Sequence, residues 1–123
     1  MASILLVEDS ITVQYIVARA LSNQGYEVCT ARDGEEALRV AREKLPNLII
    51  LDVILPKLNG FQVCRTLKSS ANTAGIPVIM LTAKWKDSDR KWGIEQGADA
   101  YLIKPFEDQA LFDVVSQFIP QGQ

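Results

Sequence analysis

Residues 48–52 of the chain read Leu-Ile-Ile-Leu-Asp, four consecutive apolar side chains followed by a carboxylate. Residues 4–9, Ile-Leu-Leu-Val-Glu-Asp, repeat this arrangement. Residues 78–82, Val-Ile-Met-Leu-Thr, end in a hydroxyl, and residues 101–104, Tyr-Leu-Ile-Lys, end in an ammonium group. A short uninterrupted apolar run is typical of a strand buried on both faces, as in a parallel sheet. Each of four predicted strands therefore ends in a side chain that can take part in chemistry.

Helical periodicity alternates with these strands. The first helix is expected to bury apolar residues spaced at three and four positions, with Ser10 as its cap; these are Val13, Ile16, Val17, Ala20 and Leu21. The other predicted elements are a more polar strand at Tyr26–Ala31, helices at Glu35–Lys44, around 63–67 and at Asp87–Gln96, and a last helix around 111–118 that Pro120 ends.

This alternation predicts an α/β fold, a parallel sheet covered by helices on both faces. Right-handed crossovers leave few topologies for five strands, and the flavodoxin-like order 2-1-3-4-5 is the first choice. The expected organisation is a three-layer sandwich that forms one domain over residues 1–123, with no second domain. Because the carboxyl ends of parallel strands meet at one edge, the four polar endings are expected to converge there.

Composition excludes several classes of function. The net charge is −2 and no basic block occurs, so there is no electrostatic footprint for nucleic acid. No apolar run is long enough to cross a membrane, and no export signal is seen. The chain has no histidine, which excludes a Ser-His-Asp triad and imidazole-bound metals. Cys29 and Cys64 lack metal-like spacing and are expected to be buried free thiols, which fits a reducing cytoplasm.

Three carboxylates at one sheet edge would repel one another. A divalent cation would relieve that repulsion, and an all-oxygen ligand set suits Mg²⁺. Asp9 and Asp52 are the expected direct ligands, together with the backbone carbonyl of Ile54, and Glu8 could bind through a water molecule.

Asp52 is the candidate nucleophile, since a carboxylate can attack an activated phosphoryl group and form an acyl phosphate. Lys104 and the Thr82 hydroxyl would then donate to phosphoryl oxygens. Each residue alone has an ordinary alternative. Asp9 could cap a helix, Asp52 could be a turn residue, Thr82 could simply end a strand, and Lys104-Pro105 could be a surface turn. The combination of all of them in one chain favours the phosphoryl-transfer interpretation.

With these residues in place, the whole chain resembles a response-regulator receiver domain, the CheY-like family of two-component signalling. The motifs that carry the resemblance are Val7-Glu8-Asp9-Ser10, Leu51-Asp52-Val53-Ile54-Leu55-Pro56 with Asn59-Gly60, Leu81-Thr82-Ala83 and Lys104-Pro105-Phe106.

The resemblance implies a role for each motif. Asp52 would accept a phosphoryl group from a histidine kinase with Mg²⁺, and Glu8 with Asp9 would form the acidic pair. Thr82 and Tyr101 would move on activation and change a protein-binding surface of the predicted fourth helix, fifth strand and last helix.

The resemblance also implies that the Lys104-Pro105 peptide bond is cis. Ile54 and Lys84 depart from the family's common residues at positions thought to set how fast the phosphoryl group is lost, so the resemblance leaves the phosphoryl lifetime open.

A narrower similarity covers residues 89–101, which resemble the stand-alone PilH-type regulators of twitching motility. The expected protein is bacterial and cytoplasmic, a monomer or a weak homodimer. With no output domain expected, its signal would pass to a separate protein, and the narrower similarity implies a motility component as that target. A phosphate sink in a shared relay and a phosphorylation-independent pseudo-receiver are the alternatives. Trp85 and Trp92 could be packing residues or part of a docking face.

Two other classes fit less well. A haloacid-dehalogenase-type phosphatase needs a second aspartate at position 54, which is isoleucine. A flavodoxin needs a hydroxyl- and glycine-rich phosphate loop after the first strand. Here Glu8 and Asp9 stand in its place and would repel a phosphate group.

Overall fold

The computed structural model describes residues 2–83 and 97–119. Five parallel strands form one sheet in the order β2-β1-β3-β4-β5, so the predicted fold class and strand order are confirmed. The strands are β1 (Ser3–Val7), β2 (Glu27–Ala31), β3 (Leu48–Asp52), β4 (Val78–Thr82) and β5 (Ala100–Ile103). The described helices are α1 (Ile11–Asn23), α2 (Gly34–Lys44), α3 (Gly60–Ser69) and α4 (Asp108–Ser116).

The two central strands account for the uninterrupted apolar runs. Residues 4–7 of β1 and 48–51 of β3 are completely buried, because helices cover both faces of the sheet. Successive side chains point to opposite faces. Leu5, Val7, Ile49 and Leu51 therefore join a core with α2 and α3, while Ile4, Leu6, Leu48 and Ile50 join a second core with α1 and α4.

The start of α3 presses against the end of β3. Asn59 caps this helix through a reciprocal pair of hydrogen bonds with Gln62. Gly60 donates its N–H to the Val53 carbonyl at 2.8 Å, and a Cβ at Gly60 would lie 2.3 Å from the Asp52 carbonyl oxygen. Only glycine allows this close approach, so Gly60 packs the helix directly behind the candidate nucleophile.

Some sequence-based expectations need correction. The spacing places Ile16 on the buried face of α1, but Ile16 is 57% exposed, because the buried face of this helix is narrow and centres on Val17 and Leu21. β2 begins at Glu27 rather than Tyr26, and β5 ends at Ile103, one residue before Lys104. Several sequence-based predictions fall outside the described residues. They are the helix at 87–96 and the roles of Lys84, Trp85, Trp92 and Pro120.

Both cysteines are free thiols. Cys64 is buried, and burial raises the pKa of its thiol to about 11. Cys29 is only half-buried, because its strand, β2, lies at the edge of the sheet. Within residues 2–83 and 97–119, no helix has both the length and the apolar composition needed to span a membrane.

Candidate functional site

The carboxyl edge of the sheet brings Glu8, Asp52 and Lys104 together. Glu8 follows β1 and Asp52 ends β3, and these two strands are neighbours, with Val7 paired to Leu51. Lys104 follows β5, and its backbone N–H donates to the Thr82 carbonyl at 2.8 Å. Its Nζ lies 2.5 Å from Glu8 Oε1 and 2.5 Å from Asp52 Oδ2. One ammonium group therefore bridges two carboxylates from different strands.

The Asp52 carboxylate is held at both oxygens. The residue is 7% exposed, so it is buried but still reaches solvent. Oδ1 accepts a hydrogen bond from the Ile54 backbone N–H at 3.0 Å, and Oδ2 accepts one from Lys104. The loop after β3 and the end of β5 thus orient the same carboxylate, which limits the geometries from which it can react.

Glu8 is more deeply buried, at 3% exposure. Its Oε2 accepts a hydrogen bond from the Ser10 backbone N–H at 3.2 Å while Oε1 faces Lys104. Burial raises the pKa of this carboxyl, and the Lys104 hydrogen bond opposes the increase only in part. Burial therefore makes the charged form of Glu8 costly, and the Lys104 ammonium beside it reduces that cost only in part.

For Lys104, hydrogen bonding affects the pKa more than burial does. Burial by itself would lower the pKa of its ammonium group, but the hydrogen bonds to Asp52 and Glu8 outweigh burial and raise the pKa above its ordinary value of 10.5. The side chain is 22% exposed. Lys104 is therefore a cation at physiological pH, fixed at the point on which the two carboxylates converge.

The other predicted residues lie around this cluster. Asp9 is exposed, and its backbone carbonyl accepts a hydrogen bond from Arg32 at 3.4 Å. Ile54 is 75% exposed beside Asp52. Thr82 and Tyr101 are half-buried on the neighbouring strands β4 and β5. The Lys104-Pro105 peptide bond is cis.

The donor set fits a hard divalent cation. Glu8 and Asp52 supply oxygen atoms that already point at a common positive charge. Among residues 2–83 and 97–119, however, no three His, Cys, Asp or Glu side chains are grouped as a metal site. Asp9 does not join the other two carboxylates here, and Lys104 occupies the position between them.

Sequence reasoning missed two features that border this cluster. The first is Gln14, whose side-chain amide donates to the Glu8 carbonyl at 3.2 Å. A polar residue beside the buried face of a helix was the available signal. The second is a groove of about 620 Å³ next to the cluster. Its lining includes Ile16, Val17, Lys104, Pro105 and Phe106. This groove has no signal in the sequence, because the helical spacing of α1 predicts that Ile16 is buried.

Comparison with known proteins agrees with this geometry. The family model for the response regulator receiver domain matches residues 4–116. Protein PilH of Pseudomonas aeruginosa is 39% identical over 116 residues, which cover 94% of this chain and 96% of PilH. By contrast, the chain spans 44% of the length of a curated probable transcriptional regulator of Cyanophora paradoxa, to which it is 48% identical over 108 residues.

Solved structures of similar proteins have the same fold as this chain. The chemotaxis protein CheY4 of Vibrio cholerae superposes with a TM-score of 0.92 at 34% identity, covering 97% of this chain and 99% of that one. The receiver domain of sensor histidine kinase PA1611 from Pseudomonas aeruginosa superposes with a TM-score of 0.89 at 33% identity, covering 96% and 97%, and has a magnesium ion in its active-site cleft. Because the family model covers most of the chain and PilH is similar over nearly its full length, the chain belongs to the response-regulator receiver family.

Proposed function

We propose that this protein takes a phosphoryl group on Asp52 from a histidine kinase, in the presence of Mg²⁺, and acts as a phosphorylation-controlled switch. The observation that carries the proposal is the convergence of Glu8, Asp52 and Lys104 at one point on the carboxyl edge. Phosphoryl transfer needs alignment and positive charge around the transferred group, and this cluster supplies a nucleophile and a fixed cation.

The proposed reaction is a displacement at phosphorus. An Asp52 carboxylate oxygen forms the new P–O bond while the bond to the leaving group breaks, which is P–N in a phosphohistidine donor and P–O in acetyl phosphate. The product is an acyl phosphate. Lys104 Nζ, now 2.5 Å from Oδ2, would follow the charge to a phosphoryl oxygen, and the Thr82 hydroxyl would donate to another.

In this proposal Glu8, Asp9, Asp52 and the Ile54 carbonyl hold Mg²⁺. The ion, when bound, would neutralise charge on the phosphoryl oxygens. Glu8 and Asp52 already share one cation, Lys104, which supports the assignment. The magnesium ion reported for the PA1611 receiver domain supports it by similarity.

Acetyl phosphate tests the proposal without a kinase. Incubating the protein with acetyl phosphate and MgCl₂ should add the mass of one phosphoryl group, measured on the intact protein. Removing Mg²⁺ with EDTA should prevent the gain, because the charge near the phosphoryl oxygens is then too small. A protein that stays unmodified with Mg²⁺, or gains the same mass without it, would contradict the proposal.

The same phosphorylated sample tests the proposed switch. A phosphoryl group adds about two negative charges, and Thr82 would be drawn toward it. Tyr101, half-buried on the adjacent strand, would turn into the vacated space. Its ring should then become less accessible to solvent, as measured by solvent-dependent NMR signals of the tyrosine. An unchanged ring would argue against the switch at Tyr101.

A surface on α1 supports docking of the kinase beside the cluster. Ile11, Tyr15 and Ile16 are large apolar side chains that are 61%, 62% and 57% exposed on this helix. Ile16 also lines the groove that reaches Lys104 and Phe106. Clustered apolar exposure of this kind marks an interaction site, and its position would bring a donor histidine close to Asp52.

One substitution can distinguish the contribution of the docking surface from that of the reacting groups. Ile16→Asp should slow transfer from a phosphorylated kinase about tenfold or more, because it places a charge in a desolvated contact. Phosphorylation by acetyl phosphate should be unchanged, since this small donor needs no protein docking surface and Ile16 makes none of the hydrogen bonds or ion pairs of the Glu8–Lys104–Asp52 cluster. Leu45→Asp, at a residue 51% exposed after α2, serves as the control. Equal rates for Ile16→Asp and wild type with the kinase would reject this surface.

The output is proposed to pass to a separate downstream protein, with control of motility as the process. Similarity over nearly the full length of PilH supports this choice. The two free cysteines suit the proposed cytoplasmic location. A phosphate-sink role in a shared relay is the alternative, and a protein that loses its phosphoryl group rapidly without binding any target would favour it.

A further inference from the structure

The side chain of Gln14 joins the ends of two strands. From the first turns of α1, its Nε2 donates to the Glu8 carbonyl at 3.2 Å and to the Ala31 carbonyl at 3.2 Å. Ala31 ends β2, and its carbonyl also accepts the Glu8 backbone N–H at 3.0 Å. A single half-buried amide group therefore bridges the carboxyl ends of β1 and β2.

These bonds determine how the acidic pair leaves the sheet. The Glu8 carbonyl belongs to the peptide group that links Glu8 to Asp9. Because Gln14 binds that carbonyl and Ala31 binds the N–H on the other side of Glu8, rotation about the Glu8 backbone is restricted at both ends. This peptide orientation fixes where the backbones of Glu8 and Asp9 lie, and each carboxylate then reaches its position by rotation about its own side-chain bonds.

The chemistry of the position suits a neutral amide. The –NH₂ group carries two donors, enough for both carbonyls. A carboxylate there would face two carbonyl oxygens with no donor, and an apolar side chain would leave them unpaired. A lysine could donate, but its charge would repel an incoming divalent cation.

We infer that Gln14 is a positioning residue that holds the Glu8–Asp9 peptide group in the orientation that Mg²⁺ binding requires. The inference rests on the proposed function, because it assumes that Mg²⁺ is the ion bound. Gln14 lies outside the acidic set and acts through two backbone carbonyls. Metal affinity would therefore depend on α1 as well as on the carboxyl edge of the sheet.

Titration with MgCl₂, followed by backbone amide NMR shifts, tests the inference. Gln14→Met should weaken Mg²⁺ binding about tenfold, the loss seen when a residue that orients metal ligands is removed. At saturating Mg²⁺ the rate of phosphorylation by acetyl phosphate should approach that of the wild type, because the reacting groups are unchanged. If Gln14→Met does not fold, Gln14→Asn, which is too short to reach both carbonyls, replaces it.

Thr73→Val is the matched control. Thr73 is 1% exposed and donates from Oγ1 to the Leu67 carbonyl at 2.7 Å, so its loss also removes a side-chain bond to a backbone carbonyl. It should lower stability and leave Mg²⁺ affinity unchanged. Unchanged affinity in Gln14→Met, or an equal loss in Thr73→Val, would overturn the inference. A wild-type protein that fails to bind Mg²⁺ would instead overturn the proposed function, and the inference with it.

Discussion

Asp52→Asn should abolish the phosphoryl gain that acetyl phosphate produces in the wild type. The amide lacks the carboxylate charge needed to attack phosphorus, and the other nearby carboxylate, Glu8, is more deeply buried. We expect intact-mass measurement to show no modified protein under conditions that convert the wild type. The oxygen of the substituted amide can still accept a hydrogen bond from Lys104, so circular dichroism should show a folded protein.

Asp99→Asn is the control, because it makes the same chemical change at another aspartate that pairs with a lysine. Asp99 also pairs with a lysine, Lys68, at 2.9 Å, and it accepts the Val78 backbone N–H. It precedes β5 and therefore lies at the opposite edge of the sheet from Lys104. This variant should retain the full gain. A phosphoryl group found on Asp52→Asn would place the acceptor at another residue.

Lys104→Met should have the second-largest effect. Removing the ammonium leaves Glu8 and Asp52 as buried like charges, and we expect the free energy of unfolding without Mg²⁺ to fall by about 2 kcal/mol. The rate of phosphorylation at saturating Mg²⁺ should fall about 100-fold or more, because a donor to the phosphoryl oxygens is lost. Mg²⁺ affinity should rise, since the cation no longer competes with Lys104 for the two carboxylates.

Lys57→Met provides the comparison. The Lys57 side chain is 54% exposed, and its nearest partner, Asp33, lies at 3.7 Å. Exposed pairs of this kind contribute less than about 1 kcal/mol, so stability and phosphorylation should stay close to wild type. Equal phosphorylation by Lys104→Met and Lys57→Met would remove Lys104 from the mechanism.

Alkaline pH offers a separate check on Lys104. Because its pKa is raised on folding, the stability that it contributes is fully present below its ordinary pKa of 10.5 and is lost as the pH rises through the folded value. Urea unfolding of the wild type should show this alkaline loss, and Lys104→Met should not. A loss of the same size in both proteins would assign the effect to other groups.

The strands could be predicted because both faces of the central sheet are covered. Residues 4–7 and 48–51 must be continuously apolar, and the more polar β2 lies at an edge of the sheet, as the predicted order 2-1-3-4-5 requires. Which helix residues are buried is harder to predict from the sequence. Ile16 satisfies the spacing of an inward residue, yet it is exposed, since periodicity does not specify how wide a face the neighbouring elements cover.

For the candidate site, the apolar runs show in the sequence which side chains end the strands, and parallel pairing predicts that these endings share one edge. The sequence does not determine which of them meet. Only the folded chain shows that Lys104 bridges Glu8 and Asp52, that Asp9 is exposed, and that Gln14 holds the peptide group between Glu8 and Asp9. These outcomes depend on strand register, twist and side-chain direction, which are set by packing between segments distant in the chain.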